Sequence, residues 1–193
     1  DMEMFALTFE EINKCIEDCR KCELYKTRNK CVPGEGNVKS RILFIGEAPG
    51  RDEDLSGKPF VGRSGQLLDK LLKSIGADKN KDVFIANILK CRPPQNRDPK
   101  PSEQEACIQF LREQYKLLNP KVVVCLGRIA AQRIIKPNFA ITREHGTWTI
   151  KNGTYFTATF HPSALLRNPN NMQAAYNDFN EIRKKVIELK SGR

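Results

Sequence analysis

Seven cysteines are the first residues in this sequence whose type and spacing suggest chemistry. Cys19-x-x-Cys22 is a ligand-type pair, because two intervening residues let both thiolates turn toward one metal centre. Cys91 follows an apolar run, and Cys107 is predicted to lie in the first turns of a helix, where the helix dipole favours a thiolate. These four thiols are our candidate metal ligands. Zinc and a [4Fe–4S] cluster both accept four thiolates, and spacing alone does not separate them.

The other three cysteines carry weaker signals. Cys125 lies inside an apolar run and is predicted to be a small core residue. Cys15 and Cys31 could replace a ligand, but neither belongs to a pair with two-residue spacing. An odd number of cysteines argues against a disulfide framework and favours metal ligation or buried thiols.

Two glycine-rich stretches follow the first apolar run. Gly46-Glu-Ala-Pro-Gly50 is a tight turn that presents backbone N–H groups and the Glu47 carboxylate, but it matches neither the dinucleotide-binding nor the P-loop pattern. An ordinary strand-to-helix turn with a solvated glutamate is the alternative interpretation. Phe60 lies among glycines and a proline in residues 57–65, so it is either a core residue or a platform on which a ring stacks.

Two polar residues stand out further along the chain. Asn87 interrupts an apolar run, so its amide either caps local backbone or reads the hydrogen-bonding edge of a ligand. His161, one of only two histidines, begins the segment His-Pro-Ser-Ala-Leu-Leu-Arg-Asn-Pro169. Both residues are therefore candidate binding or catalytic groups.

The segment after His161 also contains a candidate nucleic-acid contact. Leu165 and Leu166 are expected to be exposed, and they are flanked by Ser163 and Arg167. Exposed leucines of this kind suit an apolar wedge that enters a base stack, with the polar neighbours on phosphates.

The apolar patterning predicts the elements that position these residues. Strands are predicted at residues 41–46, 82–89 and 122–127, with a hairpin at 147–150 and 155–160 that turns at Asn152-Gly153. Helices are predicted at 64–75, 102–118, 128–135 and 171–190, the second opened by the capping box Ser102-x-x-Glu105. The alternation predicts an α/β fold, a three-layer α/β/α sandwich with a mainly parallel central sheet. Such sheets bind ligands beyond the carboxyl ends of their strands, which selects the loops 46–63, 87–101 and 161–171.

Composition limits the class of protein. A chain of 193 residues is predicted to form one domain over residues 1–193, and no apolar run approaches the ~20 residues of a membrane span. Residues 1–10 lack the order of a signal peptide, so we expect a cytoplasmic, nucleoid-associated monomer with no membrane contact. The formal net charge of +10 favours a polyanionic partner, although a basic solvated surface is the alternative.

Four motifs together resemble those of family 4 uracil-DNA glycosylases, in the same order from Cys19 to about Asn170. They are Gly46-Glu-Ala-Pro-Gly50, Lys58-Pro-Phe-Val-Gly62, Asn87-Ile-Leu-Lys-Cys-Arg-Pro-Pro94 and His161-Pro-Ser-Ala-Leu-Leu-Arg-Asn-Pro169. The resemblance implies a structural [4Fe–4S] cluster, with zinc as the alternative, on Cys19, Cys22, Cys91 and Cys107. This cluster would tie residues 1–40 to the rest of the domain. It also implies uracil contacts from Gly46, Glu47, Ala48, Phe60, Asn87 and His161.

The same resemblance implies base excision repair of single- or double-stranded DNA that contains uracil. A flipped-out uracil would stack on Phe60 while the Asn87 amide donates to O4 and accepts from N3–H, and the leucine pair would fill the vacated space. His161 is expected to donate to uracil O2 as negative charge develops on the departing base. Glu47 is expected to stabilise the positively charged sugar and to position or deprotonate the attacking water.

Two positions depart from the better-known family 1 enzymes. Ala48 stands where family 1 places an aspartate, so Glu47 need not take over that role atom for atom. Gly50 stands where family 1 has the tyrosine that blocks the methyl group of thymine. Another group must therefore exclude thymine, and Glu53 is our candidate.

Alternative functions remain open at the level of sequence. A non-catalytic single-stranded-DNA-binding module with a structural metal would also use basic charge, base platforms and wedge leucines. An acyl- or phosphate-transfer enzyme would use residues 46–50 as an anion loop, but no P-loop-like lysine or nucleophile–histidine spacing supports it. Gln173-x-x-Tyr176-x-x-Phe179 partly matches a sliding-clamp peptide, and an amphipathic helix face is the alternative interpretation.

Overall fold

Short runs of β-branched and aromatic residues form the central sheet. The computed structural model describes residues 7–192, so the expectations for a domain over 1–193 and for residues 1–10 extend beyond the described part. The strands are β1 (Glu35–Gly36), β2 (Ile42–Gly46), β3 (Phe84–Asn87), β4 (Val122–Leu126), β5 (Thr149–Lys151) and β6 (Thr154–Thr159). Their order across the sheet is β1-β3-β2-β4-β6-β5. The four central strands are parallel, and the two edge strands pair antiparallel to them.

Amphipathic helices connect the strands. They are α1 (Phe9–Glu17), α2 (Arg51–Ser56), α3 (Arg63–Ser74), α4 (Pro101–Leu118), α5 (Arg128–Ile134), α6 (Ile141–Glu144), α7 (Pro162–Arg167) and α8 (Met172–Lys190). Short 3₁₀ turns lie at Glu23–Lys26, Pro94–Asn96 and Pro169–Asn171.

Alternate residues along the strands face two separate cores. On one side of the sheet, Leu43 and Ile45 pack with side chains from α1, α4 and α5. On the other side, Phe44 packs with side chains from α3, α7 and α8. This arrangement confirms the predicted three-layer α/β/α fold with a mainly parallel sheet. Among residues 7–192, no helix combines the length and the apolar character needed to cross a membrane.

The predicted start of α4 is wrong. The helix begins at Pro101, since proline suits the first helical position, and Lys100 is its cap residue. The Glu103 carboxylate accepts the Lys100 backbone N–H at 2.8 Å, so Glu103 takes the part assigned to Glu105. The Ser102 hydroxyl has no capping role.

Two of the predicted loops contain helices. Residues 47–63 include α2, and residues 161–171 include α7 and a 3₁₀ turn. Both helices are only six residues long, which is too short to give the apolar periodicity that predicted the longer ones. The predicted hairpin turn is confirmed, because Asn152 and Gly153 both have positive φ, at 50° and 79°.

The partial sliding-clamp match lies on α8. Phe179 is fully buried there and stacks on Phe44, with ring centroids 5.9 Å apart. Tyr176 packs against the same core. The match therefore coincides with the core face of α8, the alternative that the sequence allowed.

Candidate functional site

The predicted site residues converge at the carboxyl ends of the parallel strands. Gly46 ends β2 and pairs in register with Asn87, which ends β3, and His161 follows β6. A cavity of about 400 Å³ opens at this edge of the sheet. It is lined by Glu47, Ala48, Phe60, Asn87 and His161, among others. Two larger cavities, of about 740 and 890 Å³, contain none of the predicted site residues.

Gly46 allows the site to close up. A Cβ on Gly46 would lie 2.3 Å from Asn87 Oδ1 and 2.8 Å from the Phe60 ring. Any side chain at this position would therefore displace the amide or the ring. Glycine is required here because the Asn87 amide and the Phe60 ring pack directly against the Gly46 backbone.

Phe60 is held in an unusual backbone conformation. Its φ is 52°, in the left-handed region that non-glycine residues seldom adopt, and its side chain is only 5% exposed. The ring lies 5.6 Å from the His161 ring, tilted by 32°. A Cβ on Gly65 would lie 1.8 Å from the Phe60 carbonyl oxygen, so this glycine admits the strained loop against the start of α3. The ring packs in the core with residues of α3, α7 and α8, and it also lines the cavity.

Glu53 holds the Phe60 loop in place. One carboxylate oxygen accepts the Gly50 backbone N–H at 3.0 Å, and the other accepts the N–H groups of Val61 and Gly62, each at 3.0 Å. Both oxygens are thus bonded to backbone N–H groups, two of which belong to the cavity-lining Gly50 and Gly62. Glu53 lines the cavity, and its exclusion of thymine stays a prediction.

The Asn87 amide is buried without a full set of partners. Its side chain is 2% exposed, and Oδ1 accepts no hydrogen bond from any residue in the described part of the chain. An unpaired buried amide oxygen is costly unless something else satisfies it, and Asn87 lines the same cavity as the Phe60 ring. The sequence allowed two interpretations of Asn87, as a cap for local backbone or as a reader of a ligand's hydrogen-bonding edge. Because the oxygen caps no backbone group in residues 7–192, the structure favours the second.

His161 is held as a neutral imidazole. Burial lowers its pKa to about 4, and the nearby Arg167 guanidinium acts in the same direction. Nδ1 accepts the Ser163 backbone N–H at 3.0 Å, so the neutral ring carries its proton on Nε2. A Cβ on Gly127 would lie 2.8 Å from His161 Cβ, so a glycine at the start of α5 leaves room for the histidine.

Ser163 has a role that sequence reasoning missed. Its hydroxyl oxygen lies 2.7 Å from His161 Nδ1, in addition to the backbone contact. Ser163 therefore orients the histidine, and its contact with a DNA phosphate stays a prediction. The His-x-Ser spacing around Pro162 was the available signal, because a proline in the first turn fixes the backbone that donates to the ring.

Glu47 is partly buried beside the cavity. Burial raises the pKa of its carboxyl group, and the negative charge of Asp98 raises it further. The guanidinium groups of Arg128 and Arg167 act in the opposite direction. Asp98 and Arg128, which form an ion pair at 3.3 Å, were not anticipated from the sequence. A carboxylate in this balance of charges suits proton transfer or the stabilisation of a cation.

The two leucines of α7 lie in different environments. Leu165 is 1% exposed and packs in the core with α3 and α8, contrary to the expectation that it is exposed. Leu166 is 37% exposed. The helix turns successive residues by 100°, which separates the neighbours onto the core and solvent sides. Arg167 is also exposed and lines the cavity.

Four thiols line one small cavity between the N-terminal segment and α4. They belong to Cys19, Cys22, Cys91 and Cys107, the four predicted ligands. Within residues 7–192, no three His, Cys, Asp or Glu side chains group closely enough to share a single metal ion. Cys125 is fully buried in β4, which confirms its predicted place in the core.

Two N–H donors bond to thiols of this cavity. The Arg28 guanidinium donates to Cys91 Sγ at 3.2 Å, and the Lys90 backbone N–H donates to Cys107 Sγ at 3.4 Å. Arg28 also donates to the carbonyls of Ile16 and Glu17 at the end of α1. Donors of this kind stabilise thiolate charge, so the cavity suits a thiolate-ligated centre. The sequence contained Arg28 between the cysteines, but only the fold brings it to Cys91.

Lys90 is a buried polar residue that the sequence did not single out. Its side chain is 1% exposed, and burial lowers its pKa to about 8, while the nearby Cys107 thiol acts in the opposite direction. Nζ donates to the Asn87 carbonyl and to Gln114 Oε1, each at 2.8 Å. The lysine thus lines the thiol cavity and bonds to Asn87, which lines the cavity at the strand ends.

Comparisons with known proteins agree with this geometry. A family model described as the uracil DNA glycosylase superfamily matches residues 33–185. The chain is 45% identical to the Type-4 uracil-DNA glycosylase of Archaeoglobus fulgidus, with 91% of this chain and 92% of the relative covered. It is 42% identical to the corresponding Thermotoga maritima protein, covering 93% and 89%, and 41% identical to that of Sulfurisphaera tokodaii, covering 95% and 87%. Its fold, its converging loop residues and these relatives agree that the chain belongs to the uracil DNA glycosylase superfamily.

Proposed function

We propose that this chain excises uracil from DNA by hydrolysing the bond between the base and its sugar, leaving an abasic site. The observation that carries the proposal is the cavity where the buried Asn87 amide with its unpaired oxygen, the Phe60 ring and the neutral His161 converge. A base inside a duplex cannot reach this cavity, so the nucleotide is flipped out of the stack. The net charge of +10 favours the DNA backbone as partner.

Base selection is assigned to Asn87 and Phe60. The Asn87 amide donates to uracil O4 and accepts from N3–H, a pattern that cytosine cannot match because its donor and acceptor are exchanged. A wrong base leaves the buried amide unsatisfied, which costs about 1–3 kcal/mol. The Phe60 ring supplies a stacking surface that every base could use, so discrimination against cytosine rests on the amide, and exclusion of thymine is assigned to Glu53.

His161 is assigned to the departing base. Cleavage places negative charge on uracil, and Nε2–H is the one proton the neutral ring can donate. Donation from a neutral imidazole stabilises the anion without a protonated histidine. Glu47 is assigned to the sugar, where its carboxylate stabilises developing positive charge and positions the attacking water.

DNA contacts outside the cavity are assigned to α7. Leu166, rather than the buried Leu165, is the leucine with a side chain available to fill the space that the flipped nucleotide leaves. Arg167 lies beside it at the cavity, where its guanidinium can meet a phosphate.

A [4Fe–4S] cluster is proposed in the thiol cavity, held by Cys19, Cys22, Cys91 and Cys107. Each iron of such a cluster takes one thiolate, so its four ligands need not converge on a single point. The cluster serves as a structural tie between the N-terminal segment and the Cys91–Cys107 region, and it takes no part in the hydrolysis. Zinc is the competing assignment, but a single zinc ion would require the four thiols to lie closer together than they do in residues 7–192, and metal analysis distinguishes the two.

The deciding experiment incubates the purified chain with a labelled oligonucleotide that contains one uracil, followed by alkali. We expect strand scission at the uracil and none in the matched thymine or cytosine oligonucleotides. His161→Ala is expected to lower turnover far more than DNA affinity, because the hydrogen bond to O2 strengthens in the transition state. DNA binding without scission at saturating protein would instead support the non-catalytic single-stranded-DNA-binding module.

A further inference from the structure

The side-chain amine of Lys90 is buried without a carboxylate partner in the described part of the chain, and the one acidic group that acts on it is the Cys107 thiol. Its two acceptors are the Asn87 carbonyl and the Gln114 side-chain oxygen, both uncharged. No carboxylate of residues 7–192 forms an ion pair with it. Burying a polar amine is unfavourable unless it is hydrogen-bonded, and an apolar side chain of the same length would fill the space without needing those bonds. The hydrogen bonds of the amine therefore require an explanation other than packing.

Lys90 makes four hydrogen-bonding contacts to three parts of the molecule. Its side chain bonds the carbonyl of Asn87 at the end of β3 and the side chain of Gln114 on α4. Its backbone N–H donates to Cys107 Sγ at 3.4 Å, and its carbonyl accepts the Val32 N–H at 2.7 Å. The base-selecting strand end, the thiol cavity and the N-terminal segment thus meet at one residue.

Gln114 extends this network. It is fully buried, accepts from Lys90 Nζ and donates through Nε2 to the Pro33 carbonyl at 2.7 Å. Both ends of the Gln114 amide are therefore used, which fixes its orientation. An acceptor held in this way directs Nζ toward the Asn87 carbonyl.

The end of β3 needs such a restraint. Asn87 is the last residue of the strand, and its side-chain oxygen makes no hydrogen bond in residues 7–192. The amide is therefore oriented through its backbone and by the close packing over Gly46. A small rotation of this peptide would misplace the amide relative to a bound base, since reading requires both hydrogen bonds at once.

We propose that Lys90, supported by Gln114, is a positioning residue for uracil selection: the hydrogen bond from its Nζ fixes the Asn87 peptide so that the amide presents the edge that uracil matches. This inference rests on the proposed function, and it adds a residue that touches neither the base nor the sugar. Because the same lysine bonds Cys107, the network also links the thiol cavity to base reading.

The test compares Lys90→Met with the matched control Leu89→Ala. Both change a buried side chain next to the end of β3, but only Lys90→Met removes the donor to the Asn87 carbonyl. We expect Lys90→Met to lower kcat/KM on uracil-containing DNA by about 10-fold or more and to weaken the Kd for free uracil, measured by ligand-observed NMR. Binding of a uracil-free oligonucleotide and the visible absorption of the metal centre are expected to be retained. Leu89→Ala is expected to lower Tm while free-uracil binding stays within about 2-fold.

A double-mutant cycle with Asn87→Ala separates positioning from a general structural role. If Lys90 acts through Asn87, the loss in kcat/KM on adding Lys90→Met shrinks to about 2-fold or less in the Asn87→Ala background. An equal loss in both backgrounds would overturn the proposal, as would wild-type uracil affinity in Lys90→Met. Lys90→Gln keeps an N–H donor and is expected to recover part of the loss.

Gln114→Leu tests the same network if Lys90→Met does not fold. It leaves the lysine in place but removes the acceptor that directs Nζ. We expect weaker binding of free uracil in the native background and little further loss of kcat/KM beside Asn87→Ala, whereas unchanged uracil affinity contradicts the network. Release of uracil by the wild-type chain is measured first, so failure of the proposed function is recognised before any variant is compared.

Discussion

The neutral state of His161 can be tested directly because the chain contains only two histidines. Burial lowers the pKa of His161 from 6.5 to about 4. The difference of about 2.5 pH units corresponds to roughly 3 kcal/mol against the imidazolium form. We therefore expect the His161 ring to stay neutral from pH 5 to pH 8.

Protonation also affects stability, with a defined sign. The unfolded chain protonates this histidine near pH 6.5, whereas the folded chain does so only near pH 4. Between pH 6.5 and pH 4 the unfolded chain binds a proton at this histidine and the folded chain does not. Above pH 6.5 the free energy of unfolding is therefore unaffected by this group, and it falls by up to about 3 kcal/mol as the pH falls to 4. Denaturant unfolding of the wild type and of His161→Asn over this range isolates the contribution, because the variant lacks the titrating ring.

The assay for the ring itself is NMR of the histidine side chains, with His145→Asn used to assign the two sets of signals. His161 is expected to titrate near pH 4, with the nitrogen shifts of an Nε2–H tautomer at neutral pH. The kcat of uracil release is expected to show no inflection near pH 6.5. A His161 midpoint near 6.5, or an Nδ1–H tautomer, would refute the assignment of this residue as a neutral donor.

Four further changes test the remaining assignments. Glu47→Gln is expected to lower kcat about 100-fold and to remove the fall in kcat at acidic pH. In the wild type this fall lies above the ordinary glutamate range, because burial raises the pKa of Glu47. An unchanged pH–rate profile in the variant contradicts this role. Asn87→Asp is expected to shift excision toward cytosine, because a carboxylate accepts where the amide donated, and unchanged selectivity in matched oligonucleotides counts against base reading. Leu166→Ala is expected to reduce excision from duplex DNA more than from single strands, and equal losses on both substrates argue against a wedge. Cys107→Ala is expected to abolish the brown absorption of the purified protein, and a colourless wild type containing zinc rejects the cluster.

Residues with a strong local reason for their position were predictable. The apolar runs at β2, β3 and β4 predicted the parallel sheet. The rule that ligands bind beyond the carboxyl ends of such strands predicted where the cavity lies. Asn87 was noticeable because a polar amide in an apolar strand requires a partner. The Cys19-x-x-Cys22 pair was equally visible, because its spacing is a local property.

Residues that act through long-range contacts were not predictable in the same way. Arg28 lies 63 positions from Cys91, and Gln114 lies 81 positions from the carbonyl it bonds. Neither residue type is unusual in its own segment. The error on Leu165 has a related cause, since α7 is too short for periodicity to separate its core side from its solvent side.

The sequence by itself determined which chemical groups are available: four thiols, an amide in a strand, a histidine before proline, and glycine-rich turns. Short-range patterns decide these features, because strand and helix periodicities and turn residues are properties of neighbouring positions. Only the tertiary structure decided the protonation, the hydrogen bonding and the burial of these groups. It made His161 neutral with its proton on Nε2, left the Asn87 oxygen unpaired, and buried Leu165 and Lys90. Burial and hydrogen bonding depend on what the rest of the chain brings to a residue, and that is fixed only when the layers pack.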